Sequence, residues 1–266
     1  MARFKLTIEY EGTRYSGWQV QKNARTVQGE LIAAMRTVFE TTEFEFVGAG
    51  RTDAGVHALQ QVAHLDVSTV LAPEIIRMKV NDELPADINI LEVEKAPSRF
   101  HARHNAVARS YLYQISRRRT AFGKRYVWWV TDPLDTRKLN NALKLFVGMR
   151  NLQSFTDDDP EEHSTKVLIE SAEVAEAGDL ILMRIRGSHF LWKLVRRMVG
   201  VAVEVARGKL TLERVQSYIA AHSKEPAHYT APPSGLFLER IFYEEDTRTI
   251  PLLPLLHLSS IVRREV

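Results

Sequence analysis

The sequence predicts a mixed α/β (α+β) protein, and three observations carry that expectation. Segments that alternate apolar and polar residues, the period of a half-buried strand, are interleaved along the chain with segments whose apolar residues recur at helical spacing. The length of 266 residues corresponds to about two domains at roughly 150 residues each. Hydrophobic residues make up 45% and charged residues 26%, a balance that lets a chain of this length bury a core without covalent staples.

The elements follow in order. Phe4, Leu6, Ile8 and Tyr10 alternate, so residues 4–10 read as a strand. Thr26 can cap a helix over 27–39, with Val27, Leu31, Ala34, Met35 and Val38 on one stripe. Residues 44–47 form a short strand that enters the glycine-rich stretch Gly48–Gly55. A strand over 61–67 comes next, then a helix from Pro73 to about Val80, with proline in its first turn. Residues 88–93 and 107–115 read as strands, the second placing Val107, Arg109, Tyr111, Tyr113 and Ile115 on one face. A helix over 136–147 buries Leu139, Leu143 and Phe146. Residues 156–163 are a loop by composition, and 168–174 with 180–185 form a strand pair. A long helix is expected over 190–207, with Leu191, Leu194, Val195, Met198, Ala202 and Val205 inward. Thr211 caps another to about Ala221, and 236–243 is the last strand.

Composition excludes several function classes. The chain has no cysteine, so disulfide scaffolds, thiolate zinc sites, iron–sulfur clusters and a cysteine nucleophile are ruled out. No apolar run approaches the roughly 18 residues of a membrane span. The N-terminus alternates like a strand and lacks a signal-peptide core, so the expected compartment is the cytoplasm. The net charge of +3 is unevenly placed. Between Ala96 and Thr131 there is no Asp or Glu, but there are Arg99, Arg103, Arg109, Arg117, Arg118, Arg119, Lys124 and Arg125. The remaining chain is net acidic. The same segment holds Phe100, Tyr111, Tyr113, Phe122, Tyr126, Trp128 and Trp129. Basic residues interleaved with aromatics fit a nucleic-acid partner, and fit equally a solvated basic strand pair on an ordinary enzyme.

The Gly48–Gly55 stretch is neither a dinucleotide fingerprint nor a P-loop: Asp53 stands where the former needs glycine, and no Gly-Lys-Ser/Thr follows. Its glycines can bend the backbone to present the Asp53 carboxylate, or form a plain turn with a capping Asp. Asp53, His57, His64 and Asp66 lie close in sequence, as do His101 and His104, but none matches a firm metal-ligand spacing. No G-x-S-x-G elbow is present. The acidic run Asp157–Glu162 reads as a solvated loop. Arg196 lies beside Trp192, Val199 and Val203 on its helix, which predicts partial burial and a carboxylate partner. Arg197 points elsewhere and is expected in solvent.

The segments Tyr10–Gln21, Thr26–Gly29, Gly50-Arg-Thr-Asp-Ala-Gly-Val-His57, Asn81–Ile88, Phe100–Arg103, Arg109-Ser-Tyr-Leu-Tyr113, Phe190–Gly200 and Gly235–Leu238 together resemble the TruA-type tRNA pseudouridine synthases, in family order over residues 10 to about 243. There are departures. Gly148-Met-Arg-Asn-Leu-Gln-Ser-Phe155 replaces a Gly-x-His-Asp-Phe-x-x-Phe pattern, and Thr165-Lys166 replaces Thr-Arg. Neither removes a catalytic group.

The resemblance implies two pseudo-symmetric lobes joined in a mostly antiparallel sheet, with flanking helices and a basic central cleft. The N-terminal lobe would span 1–105 and carry the catalytic loop, and the C-terminal lobe would span 106–245. A tail, 246–266, has no assigned role. It also implies a homodimer acting on tRNA, without cofactor, metal or membrane, that isomerises uridine to pseudouridine at anticodon stem–loop positions 38, 39 and 40. Asp53 would be the catalytic carboxylate, attacking ribose C1′ or removing the 2′ proton. Arg196 would keep it ionised, Tyr111 would stack on the uracil, and Arg51 would replace the flipped base or hold phosphate. Arg103 and Arg109 are candidates for phosphate contacts, each equally readable as a strand-surface arginine. Two other classes share these features in part: a non-catalytic RNA-binding protein, which has no need of Asp53, Tyr111 and Arg196 together, and a metal-dependent hydrolase, which a chelator would inhibit.

Overall fold

Strand β1 (Ala2–Tyr10) buries Phe4, Leu6, Ile8 and Tyr10, each large side chain contributing about 1.5–3 kcal/mol relative to exposure. The computed structural model describes residues 1–255. Among these, chain order continues with α1 (Val27–Phe39), β2 (Phe44–Gly48), β3 (His57–Val67), α2 (Pro73–Glu83), β4 (Ile88–Ala96), β5 (Ala108–Ser116), β6 (Trp128–Trp129), α3 (Thr136–Lys144), β7 (Gly148–Asn151), β8 (Lys166–Ala177), β9 (Leu180–Gly187), α4 (Leu194–Ala206), α5 (Leu212–Ala220) and β10 (Leu236–Phe242). This is the mixed α/β class that the interleaved periodicities predict.

The chain forms two compact units: Met1–Ser110 with Phe237–Arg248, and Tyr111–Leu236 with the tail from Thr249. The division falls inside β5 and β10, so the chain returns to the first unit at its last strand. In that unit β1 pairs antiparallel with β4 and β3, β2 pairs antiparallel with β3, and β10 runs parallel to β3 through Phe237 and Leu238. Helix α1 packs beside α2, and α2 on β4. Thr26 caps α1 by accepting the Gly29 N–H at 3.2 Å.

In the second unit β7, β8 and β9 are antiparallel, β9 neighbours β5, and β6 pairs parallel with β5. Helix α3 is capped by Asp135, which accepts from the N–H groups of Arg137 and Lys138, and packs on α4. The α4 helix begins at Leu194 and not at Phe190, because Lys193 adopts a left-handed conformation at φ 62°. That geometry ends the preceding turn instead of propagating a helix. Apart from Arg196 and Glu204, every residue of α4 is buried, as expected of a helix that is apolar nearly all round.

Residues 249–255 are held against the second unit. Arg184, only 2% exposed, donates from Nη1 to the Ile250 carbonyl at 2.9 Å and from Nη2 to the Pro251 carbonyl at 2.7 Å. Gln114 Oε1 accepts the Leu255 N–H at 2.8 Å. Residues 256–266 of the expected tail lie outside the described residues. A buried guanidinium deprived of charge-assisted hydrogen bonds costs about 1.5–3 kcal/mol. Truncation after Arg248 is therefore expected to lower the melting temperature on the order of 5 °C for a chain of this size, and thermal unfolding of the truncated protein checks it. No helix among the described residues is long and apolar enough to cross a membrane.

Candidate active site

The loop 49–56 joins the antiparallel strands β2 and β3 in the first unit. Its turn closes where the Val56 N–H donates to the Asp53 carbonyl at 3.1 Å. Gly55 occupies the third turn position at φ 79°, where a left-handed residue is required. The turn leaves Asp53 half-buried and Arg51 exposed.

The flanks of Asp53 are fixed by side chains and main chain from elsewhere in the first unit. Tyr10 Oη and Thr52 Oγ1 share a hydrogen bond of 2.8 Å. The Trp18 N–H donates to the Thr52 carbonyl at 3.1 Å, and Gln61 Nε2 to the Gly50 carbonyl at 3.0 Å. Gly55 donates to the Tyr15 carbonyl at 3.2 Å. The chain at Gly17, with φ 93°, approaches so closely that a Cβ there would lie 2.6 Å from the Thr52 carbonyl oxygen. His57 is buried, accepts the Gly12 N–H on Nδ1 at 3.0 Å, and stacks on Phe237 at 4.8 Å between centroids. It packs the end of the loop. Tyr15 is bonded to Asp87; burial, then that bond, pushes its phenol well up and keeps it protonated.

Arg103 is exposed and Arg109 half-buried, both in the first unit. Arg109 donates to the carbonyls of Ala106, Ala49 and Arg103. His64 and His101 lie with ring centroids 4.7 Å apart. Burial above all, then Arg3 and His101, lowers the His64 pKa. The neutral ring accepts the Ala102 N–H on Nδ1 at 3.2 Å. Asp66 is ion-paired to Arg3. Among the described residues no group of three or more His, Cys, Asp or Glu could hold a metal ion.

In the second unit Tyr111 is half-buried, its ring edge-on to Phe190 at 4.9 Å. Tyr113 is core, its hydroxyl donating to the Pro232 carbonyl at 2.8 Å, and burial pushes its pKa well up. Arg196 is half-buried, as its neighbours on α4 predict. Its Nε donates to the Ala231 carbonyl at 2.8 Å and its own carbonyl accepts from Ala231. Arg197 corrects the expectation of a solvated side chain: it is 4% exposed and ion-paired with Asp157. Lys193 reaches the same carboxylate at 2.7 Å. Burial opposes the Asp157 charge, but the bonds from Lys193 and Arg197 outweigh it and hold the carboxyl below its usual range. Asp158 in turn accepts the Trp192 N–H at 2.8 Å. The start of the acidic run is thus a structural clamp on the turn before α4. The two departures in sequence meet each other, Asn151 lying opposite Lys166 in the β7–β8 register, and the retained Thr165 Oγ1 donates to Asn151 Oδ1 at 2.7 Å.

The roles of Tyr10, Trp18 and Gln61 in holding the Asp53 loop were not read from the sequence. Tyr10 and Trp18 stand in the first segment that carries the resemblance, which was the signal available.

The chain matches the family described as tRNA pseudouridine synthase over residues 6–105 and 142–244. It is 38% identical over 246 residues to "tRNA pseudouridine synthase A" of Nitrobacter hamburgensis, covering 91% of this chain and 100% of that one. The protein of the same name from Brachyspira hyodysenteriae is 35% identical over 250 residues, 92% of this chain and 100% of that one. For that of Halalkalibacterium halodurans the identity is 36% over 242 residues, with 90% and 92% covered. The chain belongs to the tRNA pseudouridine synthase family.

Proposed function

We propose that this protein isomerises uridine to pseudouridine in the anticodon stem–loop of tRNA, at positions 38, 39 and 40, with Asp53 as the catalytic carboxylate. The observation that carries the reading is a half-buried aspartate at the first position of a turn, in a loop whose flanking carbonyls are tied by Trp18 and Gln61, in a chain of this family. The reaction breaks the bond from ribose C1′ to uracil N1, turns the base, and joins C5 to C1′. Nothing is oxidised or hydrolysed, so the chemistry requires neither cofactor nor metal. It requires an ionised carboxylate beside the sugar, acting by attack on C1′ or removal of the 2′ proton.

The other roles follow from what such a carboxylate needs. Arg196 is the cation that keeps Asp53 ionised when substrate excludes water, since desolvation alone favours the neutral acid. Tyr111 stacks on the extracted uracil, an interaction of about 1–3 kcal/mol that offsets part of the cost of unstacking, and its phenol can relay the C5 proton. Arg51, exposed two residues before Asp53, fills the space of the flipped base or holds phosphate, and Arg103 holds phosphate. The working form is a homodimer in the cytoplasm, with tRNA as the partner.

The test uses purified protein and unmodified tRNA transcripts in chelator, with pseudouridines mapped by chemical labelling and primer extension. New stops at 38, 39 or 40 are expected. Bound tRNA without stops would make the chain a binding protein, and loss of activity on chelation would bring back the metal reading.

Arg196→Ala is expected to slow conversion roughly 10–100-fold, the loss of about 1.5–3 kcal/mol for a charge-assisted contact. The acid limb of the rate profile should also move to higher pH, because a carboxylate without its cation holds its proton longer. An acid limb that stays in place would refute the pairing with Asp53.

A further inference from the structure

We infer that Arg109 is a positioning residue for Asp53, fastening the loop that carries Arg51 and Asp53 to the loop that carries Arg103. The inference rests on the isomerase reading and assigns Arg109 a task other than contact with RNA.

Arg109 stands near the start of β5, half-buried. Its Nη1 donates to the Ala106 carbonyl at 3.1 Å, and its Nη2 donates to the Arg103 carbonyl at 3.0 Å and the Ala49 carbonyl at 3.3 Å. These acceptors belong to two segments of the first unit. Ala49 follows β2 and precedes Asp53 by four residues, while Arg103 and Ala106 lie in the turn-rich segment before β5. A rigid planar fork of donors can serve several carbonyls at once, which a lysine ammonium on a flexible stem does poorly.

The partners of Arg109 are themselves held. In the Arg103 segment, Arg3 donates to the Ser98 and Phe100 carbonyls, both at 2.6 Å. His64 accepts the Ala102 N–H, and Tyr243 donates to the Ala102 carbonyl at 2.8 Å. On the other side, Ala49 N–H donates to Val62 at 2.7 Å. The carbonyls of Ala49, Gly50 and Thr52 are thus taken by Arg109, Gln61 and Trp18 in turn. Strand β3 holds both segments from its own side, and Arg109 bonds both of them directly. A phosphate drawn to Nη2 would compete with the Ala49 and Arg103 carbonyls, whereas Arg103 is itself exposed on the same segment.

Two measurements on Arg109→Ala and Arg109→Lys test this against the phosphate alternative, with Arg103→Ala alongside. The first is the single-turnover rate of pseudouridine formation together with tRNA affinity over a salt series. Both Arg109 variants are expected to convert bound tRNA about 10–100-fold more slowly, the penalty for a misplaced reacting group. Their affinity should stay within about twofold of wild type, with the salt slope unchanged. Weaker binding with a salt slope reduced by about one, at an unchanged rate, is the mark of a lost phosphate contact and would overturn the inference. So would full activity in the lysine variant, since charge alone would then suffice. The second measurement is amide hydrogen exchange in the Thr52–Gly55 stretch without RNA. Faster exchange in the lysine variant is expected, and unchanged exchange would overturn the inference. This arm needs no turnover, so it tests Arg109 even where the alanine variant fails to fold. If wild type itself makes no pseudouridine, it is the isomerase reading that fails.

Discussion

Asp53→Asn will abolish pseudouridine formation while leaving tRNA affinity within about twofold of wild type. Asparagine has the size and shape of aspartate but is neutral, so it can neither attack C1′ nor take the 2′ proton. Removing a nucleophile or general base of this kind costs about 10⁴-fold or more, which an end-point assay reads as no product. The loop survives the change because its backbone is tied through neighbours. Trp18 on the Thr52 carbonyl, Gln61 on the Gly50 carbonyl and Tyr10 on the Thr52 hydroxyl all remain. Arg51, the candidate closest in sequence for contact with RNA, also remains and is exposed. Single-turnover conversion and a binding isotherm on the same preparation check both halves. A folded variant that loses tRNA would make Asp53 a binding residue instead of a catalytic one.

The parts of this structure that were legible in sequence are those governed by local rules. Helix α1 begins after Thr26 because a β-region threonine that accepts the Gly29 N–H is a start signal. The turn that follows Asp53 is announced by Gly55, which takes its left-handed position. Burial of the alternate residues of β1 follows from period two. The readings that failed depend on partners distant in sequence. Because Arg197 points away from the Arg196 side of its helix, the sequence predicts solvation, and nothing local announces the carboxylate it finds. That carboxylate, Asp157, stands 40 residues earlier, on a stretch whose composition reads as a loop. The late start of α4 depends on Lys193 at φ 62°, a conformation that lysine does not announce. The docking of residues 249–255 on Arg184 and Gln114 likewise pairs a tail with strands more than 60 positions away, and periodicity within either segment carries no trace of it.

Gly17→Ala should be strongly damaging, through a main-chain effect that touches no catalytic group. Gly17 has φ 93°, and forcing an L-residue with a Cβ into such a conformation costs about 1–2 kcal/mol. The added Cβ would also meet the Thr52 carbonyl oxygen at 2.6 Å and the Asp53 carbonyl carbon at 3.2 Å. Both are backbone atoms, so no rotamer change relieves the contact, and one of the two segments must shift. The Gly17 side has little room: its carbonyl accepts the Val27 N–H at 3.1 Å at the first turn of α1, and Trp18 next to it is buried. The shift therefore falls on Thr52 and Asp53. Overpacking of this sort adds about 1–3 kcal/mol, for a total of roughly 2–5 kcal/mol and, at about 2–4 °C per kcal/mol, a melting temperature lower on the order of 10 °C. A displaced carboxylate should cost about 100-fold in turnover at temperatures where the variant is still folded. Gly208→Ala separates the two effects. Gly208 has φ 75°, with nothing within 4 Å of its added Cβ, so that variant carries conformational strain without the collision. It should lose stability and keep its turnover. Equal losses of activity in the two variants would trace the defect to stability alone and remove Gly17 from any part in placing Asp53.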